Sequence, residues 1–422
     1  MNTEQDSKAK QALNLGKTFR DSKKLAVHGW YPYVEGFSAS YVGTWLDREL
    51  TSSKTVYDPF GGSGTVQLEA SRRGIKSFYS EINPFMAFVA DTKVNAARIV
   101  TGKPGKLERA AKNFVSTLNA STFAKHAQRV DLTAYNSAFP KRDFFAERDI
   151  RQLLAARDLA VEVAEGNSAI EAILTCACAA NAVKSSNMTR RADLRRRRPD
   201  EYKLRVVDVP AFVVGSVERM VMDVLQMVRD GDLGKMVETK YASEDCRLLP
   251  QTYSEAFDFA ITSPPYLNGT NYFRNTKIEL WLLGFIKTER ELPTFTSQAI
   301  AGGINNISLS KALSFTASSV EEAARELDEH APDKRIPKMI RQYFSDMYEV
   351  FQAVYRGLKP GGRFVLDVGD SKFYGVHVPT DKLLAETAAA AGLALEERTV
   401  IARRYSRDRS PLIQAELVFR KA

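Results

Sequence analysis

The chain has 422 residues, 44% of them hydrophobic and 26% charged, which suits a catalytic core of about 250 residues plus an elaboration and argues against disorder. Sixty lysines and arginines against 51 acids give a net charge of +9 and a pI near 9.2, a balance that tolerates a polyanionic partner without demanding one. Three cysteines cannot build a disulfide framework, Cys176 and Cys178 sit in an apolar run rather than at metal-ligand spacing, and no run reaches the roughly 20 apolar residues of a membrane span. Secreted miniproteins, membrane proteins and structural zinc modules are excluded. With a polar N-terminus lacking an apolar segment, a cytoplasmic enzyme is the expectation.

Residues 1–26 read as a polar lead-in, followed by an aromatic stretch from His28 to Ser38, with Ser38 capping a helix. Two strand–turn–helix units come next. The first strand, Thr55 to Tyr57, ends in the loop Asp58-Pro59-Phe60-Gly61-Gly62-Ser63-Gly64-Thr65; the second, Lys76 to Ser80, ends in Glu81-Ile82-Asn83-Pro84. From about 103 to 235 the pattern is helical, with an arginine cluster at its middle. Strand signals resume near 237–242 and at Phe257 to Ile261, the latter running into Thr262-Ser263-Pro264-Pro265-Tyr266. A helix near Thr276 to Phe285, a polar irregular stretch over 286–335, a long helix, the turn Lys359-Pro360-Gly361-Gly362, a strand, a helix near 380–391 and a closing strand pair complete the chain. Strands alternating with helices predict a parallel sheet with right-handed crossovers. The expected organisation is one sheet domain, with halves at 27–100 and 236–422, interrupted by a helical insertion at 101–235 that is a candidate for target recognition.

The loop Asp58 to Thr65 lies where a strand turns into a helix, the crevice in which such sheets bind ligands. A glycine-rich turn alone is weak evidence, because a tight structural turn has the same composition. Glu81, at the end of the next strand, is placed to accept hydrogen bonds from ribose hydroxyls, and the pair favours an adenosine-type cofactor. The P-loop lysine and the G-x-G-x-x-G spacing are absent. Asp58 would repel a pyrophosphate but attract a cation, which suits the sulfonium and amino groups of S-adenosylmethionine (SAM).

Two prolines after an apolar strand can simply end it. In Ser263-Pro264-Pro265-Tyr266, however, rigid carbonyls, a hydroxyl and a flat ring stand side by side, an arrangement suited to a planar ring bearing an exocyclic amino group.

With these motifs the sequence resembles the SAM-dependent amino-methylating DNA methyltransferases, which modify cytosine N4 or adenine N6. The resemblance covers the two sheet halves and implies an α/β Rossmann-like methyltransferase fold, a mostly parallel seven-stranded sheet with a helical insertion. By resemblance, Asp58, Phe60, Gly62, Gly64 and Thr65 belong to the cofactor loop, Glu81 and Ile82 to the ribose-binding strand end, and Asp245 contacts the adenine. Tyr31, Phe37 and Ser38 belong to a segment closing over the methionine end, and Ser263, Pro264, Pro265 and Tyr266 form the catalytic tetrapeptide. The implied mechanism flips the target base out of the duplex, stacks it on Tyr266 and directs both amino N–H groups to Ser263 and the Pro264 carbonyl. A serine-led tetrapeptide favours cytosine N4, with adenine N6, an RNA base or a degenerate nucleic-acid-binding homologue as alternatives. A role in restriction–modification or phage defence beside a partner restriction enzyme follows from the same resemblance. No metal is implied.

Arg190, Arg191, Arg195, Arg196, Arg197 and Arg198 are read as phosphate contacts, against the plainer reading of a solvated helix end. Arg403, Arg404, Arg407 and Arg409 raise the same question with less support, and Asn268, Asn271 and Tyr272 divide evenly between lining the base pocket and capping the next helix. The four histidines are read as structural.

Overall fold

The computed structural model describes residues 22–33, 36, 38–190, 193–202, 205–267, 271–308, 311–405 and 409–422. The main sheet comprises β1 (Thr55–Asp58), β2 (Lys76–Ser80), β3 (Thr239–Ser243), β4 (Phe257–Thr262), β5 (Leu358–Gly369), β6 (Leu393–Tyr405) and β7 (Pro411–Lys421), in the spatial order β3-β2-β1-β4-β5-β7-β6. Every pairing is parallel except those of β7, which runs antiparallel to both β5 and β6. This is the mostly parallel, seven-stranded Rossmann-like sheet that the sequence predicts. Its order reverses between β1 and β4, so their C-terminal ends flank the crevice where an open α/β sheet binds ligands. The glycine-rich loop leaves β1 there and the Ser-Pro-Pro-Tyr segment leaves β4.

The helices of eight or more residues among the described residues are α1 (Ala39–Glu49), α2 (Thr65–Arg72), α3 (Pro84–Asp91), α4 (Pro104–Asn119), α5 (Glu147–Val163), α6 (Ser168–Ala180), α7 (Val209–Arg229), α8 (Tyr272–Leu282), α9 (Ser318–His330), α10 (Arg335–Gly357) and α11 (Thr380–Ala390). Ser38 caps α1 as its sequence predicts, its Oγ accepting the Tyr41 N–H at 3.2 Å. Asn83 caps α3 in the same way, with Pro84 at the first helical position where a missing N–H costs nothing.

Three features depart from the sequence reading. The arginine cluster lies on a β-hairpin, Met188–Arg190 paired with Leu194–Arg196, rather than on a helix. The stretch 286–335 contains α9, whose Val320, Ala324 and Leu327 are buried at helical spacing. A second small hairpin, Ser371–Phe373 with Val376–Val378, follows β5 and turns at Tyr374 and Gly375, both at positive φ.

One hydrophobic core joins the insertion to the sheet domain. Leu107 and Phe114 of α4, Leu153 of α5, Ile173 of α6 and Val217 of α7 share it with Trp30, Tyr31, Phe85 and Val89, and with Phe273 and Ile278 of α8. The insertion is therefore packed into the fold, not tethered to it. A second core lies beneath α10 and α11, and a third under α1.

Candidate active site

Asp58 ends β1 almost fully buried, at 2% exposure. One oxygen accepts the Phe60 N–H at 3.1 Å and the Thr262 hydroxyl at 2.7 Å; the other accepts Gln67 Nε2 at 3.2 Å. Burial pushes its carboxyl up to about 6 against these three donors. Instead of presenting a free carboxylate to a cation, Asp58 ties the glycine-rich loop to the residue just before Ser263. Phe60 packs half-buried against the core under α10.

The glycines do what the loop requires. Gly61 N–H donates to Ser80 O at 2.9 Å, and Gly62 adopts φ +49 with its N–H on Glu81 Oε2 at 2.8 Å. Gly64, at φ +80, lies so close to α3 that a Cβ would sit 2.9 Å from Ala90 Cα. Thr65 then opens α2, buried. Beneath the loop, fully buried Lys93 donates to Ser63 O at 2.9 Å from a π-helical turn, Thr92–Ala96, and desolvation lowers its pKa to about 7.

Glu81 accepts the Asn83 N–H at 2.9 Å through its second oxygen, and burial raises it to about 7 despite both backbone donors. It is half-buried at the C-terminal end of β2, and Ile82 beside it packs half-buried against the core shared with the insertion. In the aromatic segment, Tyr31 is buried, donating to Glu279 Oε1 at 3.0 Å, and Ser38 is spent on its helix cap. Phe37 lies outside the described residues. Tyr33 is the member that overlies the loop: a Cβ on Gly62 would come 3.5 Å from its hydroxyl. Asp245 is gripped through both oxygens by Arg247, which also reaches Asp346 at 3.2 Å and Gln298 O. Sequence reasoning missed Arg247, because its role depends on α10 supplying Asp346.

Beyond Thr262, Ser263 is half-buried and its hydroxyl forms no hydrogen bond among the described residues. The rest of the tetrapeptide is clamped from behind. Tyr343 of α10 donates to Pro265 O at 3.1 Å, and Gly302 lies so close that a Cβ would meet Tyr266 O at 2.9 Å. The Tyr266 hydroxyl stands 3.3 Å from Gln414 Nε2, which also donates to both oxygens of buried Asp367 at 2.7 and 2.9 Å. Ser371 Oγ donates to Leu267 O at 2.7 Å. The tyrosine ring is thus held at its far end by β5 and β7, a contact invisible along the chain.

Asn271 takes the capping role, accepting the Arg274 N–H at 2.9 Å, while Tyr272 begins α8. Asn268 lies outside the described residues. Next to this cap, Arg142, Asn271, Arg274, Lys277, Glu289 and Asn305 help line an open cleft of about 360 Å³.

The arginine hairpin is largely consumed within the protein. Arg190 is half-buried, paired with Glu279 at 2.6 Å and hydrogen-bonded to Asn275 O and the Tyr31 hydroxyl, so it fastens the hairpin to α8. Arg195 pairs with Glu201 at 2.8 Å and Arg196 with Asp143. Arg197 is half-buried and Arg198 exposed; Arg191 lies outside the described residues.

No family model matches the chain. M.AvaI of Nostoc sp. is 22% identical over 426 residues, covering 91% of this chain and 82% of that protein, and M.BsoBI of Geobacillus stearothermophilus is 22% identical over 416 residues, covering 89% and 80%. M.MjaII of Methanocaldococcus jannaschii is 30% identical over 115 residues, 27% of this chain and 22% of that one. A solved SAM-dependent methyltransferase from Methanosarcina mazei, 9% identical, overlays 89% of this chain and 96% of its own with a TM-score of only 0.32, which adds nothing to the topology. Over about nine-tenths of its length, then, the chain is similar to proteins named Type II methyltransferases.

Proposed function

We propose that this protein is a SAM-dependent DNA methyltransferase that methylates an exocyclic amino group, cytosine N4 in preference to adenine N6, as the modification component of a restriction–modification system. The observation that carries the reading is the junction of the two loops. Asp58 binds Thr262 at 2.7 Å, so the glycine-rich turn and Ser263 are built as one unit at the point where the sheet order reverses. The Type II methyltransferase relatives support the substrate class.

The residues at the β1 and β2 ends fit the cofactor. Gly62 and Gly64, at positive φ, leave the loop backbone bare at those positions, and Glu81 offers a half-buried carboxylate whose two present partners are backbone N–H groups. When bound, SAM supplies an electrophilic methyl group on a sulfonium sulfur. An aromatic amine is a poor nucleophile because its lone pair is delocalised into the ring. Ser263 Oγ and the Pro264 carbonyl accept its two N–H bonds, which favours a pyramidal nitrogen and frees the lone pair. Tyr266, fixed by Gln414 and Asp367, stacks on the flipped base and offsets an unstacking cost of a few kcal/mol. After transfer the nitrogen carries one proton too many and releases it to solvent. No thiolate is required, and each of the three cysteines is buried.

The test is mass spectrometry of nucleosides after incubation with labelled SAM and unmethylated bacterial DNA. The expected product is N4-methylcytosine, absent with Ser263→Ala. Labelled N6-methyladenine overturns the choice of base but keeps the mechanism. SAM binding without any labelled deoxynucleoside overturns the DNA reading in favour of RNA.

A further inference from the structure

The hairpin at 188–196, where the arginines are densest, uses most of them internally. A different basic surface is left open. The end of β6 and the start of β7 lie at the C-terminal edge of the sheet, because β6 runs parallel to β5. Along β7, Pro411 is three residues from Gln414, the residue at the Tyr266 hydroxyl, a distance of about 10 Å along an extended strand. The hairpin 371–378 joins the same edge: Ser371 holds Leu267, next to the tetrapeptide, and Lys372 Nζ reaches Ser410 Oγ at 2.9 Å.

The side chains on this rim look outward. Arg403 and Arg409 are exposed and pair with no acid among the described residues. Tyr405 is 74% exposed and Tyr374, at the hairpin tip, is 57% exposed. The acid nearest in sequence to the hairpin, Asp370, is buried and bound to His377 at 2.8 Å. Unpaired guanidinium groups cost little in water but gain much from phosphates, whose condensed counterions they release. Large exposed aromatic rings on the same edge provide flat surfaces for bases or sugars.

We propose that this rim, built by the C-terminal end of β6, the start of β7 and the hairpin 371–378, grips the phosphate backbone of duplex DNA beside the flipped base, and that the hairpin 188–196 does not. The proposal rests on the DNA reading above. Arg403 and Arg409 hold the phosphates, and Tyr374 and Tyr405 cover the strand from which the base is drawn.

The test measures binding of full-length protein to a mixed-sequence DNA duplex and to an RNA hairpin by fluorescence anisotropy, between about 50 and 200 mM salt. Arg403→Ala/Arg409→Ala is expected to weaken duplex binding by about tenfold and to lower the slope of log K against log salt by about two, since each phosphate contact contributes about 0.9. Tyr374→Ala/Tyr405→Ala is expected to weaken binding with the slope unchanged. Arg196→Ala/Arg198→Ala is expected to leave both near wild type, and all three variants to keep wild-type SAM affinity and melting temperature. An unchanged slope in Arg403→Ala/Arg409→Ala, or a larger loss in Arg196→Ala/Arg198→Ala, overturns the assignment while leaving the enzyme reading intact. Wild-type protein that takes SAM but binds only the RNA hairpin, or neither probe, overturns the DNA reading itself.

Discussion

Ser263 has a hydroxyl with no partner among the described residues, while Thr262, Pro265 and Tyr266 beside it are hydrogen-bonded. That contrast sets the first prediction: Ser263→Ala lowers the rate of methyl transfer by at least on the order of 100-fold, the scale of losing one preorganised hydrogen-bonding group, while SAM affinity stays within about twofold. Single-turnover kinetics beside calorimetry separates the two. Glu81 gives the second. Its carboxyl is raised to about 7 by burial, so near neutral pH it is partly protonated and loses acceptor capacity for ribose hydroxyls. SAM affinity therefore rises as pH increases from about 6 to 8, and Glu81→Gln both weakens binding and flattens that rise, as titration calorimetry at each pH will show. For stability the sign is the opposite. A carboxyl held above its ordinary value favours the fold most at low pH, and the contribution is lost as pH rises through about 7.

At the scale of elements, the cofactor turn and the tetrapeptide are each held by something distant in sequence. Gly64→Ala adds a methyl 2.9 Å from Ala90 Cα at φ +80, where L side chains are strained. It is expected to cost about 1–3 kcal/mol and to abolish measurable SAM binding, checked by denaturant melts and calorimetry. Asp346 is the corresponding tie on α10. It is fully buried, bound by Arg247 at 3.2 Å, by Lys311 and by the Ala301 N–H at 3.0 Å, next to the Gly302 that presses on Tyr266. Asp346→Ala leaves two cations without their buried partner and is expected to destabilise by about 3 kcal/mol. SAM affinity falls with it, because Arg247 no longer holds Asp245 in place. At this scale the sequence was legible where a local rule sufficed. Ser38 as a cap, Lys76 to Ser80 as a strand and the glycines of the loop all followed from residue type. Helix α9 was missed although Val320, Ala324 and Leu327 carry the helical period, because the polar residues between them dominate the composition. The hairpin at 188–196 was missed because a short strand crowded with arginines has no alternating apolar face.

For the whole molecule, the insertion and the sheet domain share one core, from Phe114 and Val217 to Phe85 and Phe273. Removing residues 104–229 would expose α3 and α8 to water, so such a deletion is expected to give no cooperative melt, and the intact chain a single transition in scanning calorimetry. The sequence by itself determined the class of sheet and the geometry of the glycine-rich turn, because each rests on residue types within a short span whose backbone conformation they dictate. Tertiary structure alone decided which charges remain available. Arg190 is neutralised by Glu279, 89 positions away, Asp58 is turned inward by Thr262, 204 positions away, and Arg403 and Arg409 pair with no acid among the described residues. A charge in a sequence has no sign of its partner, since pairing depends on which strand or helix the fold brings alongside, and that decides whether an arginine holds the protein together or faces its substrate.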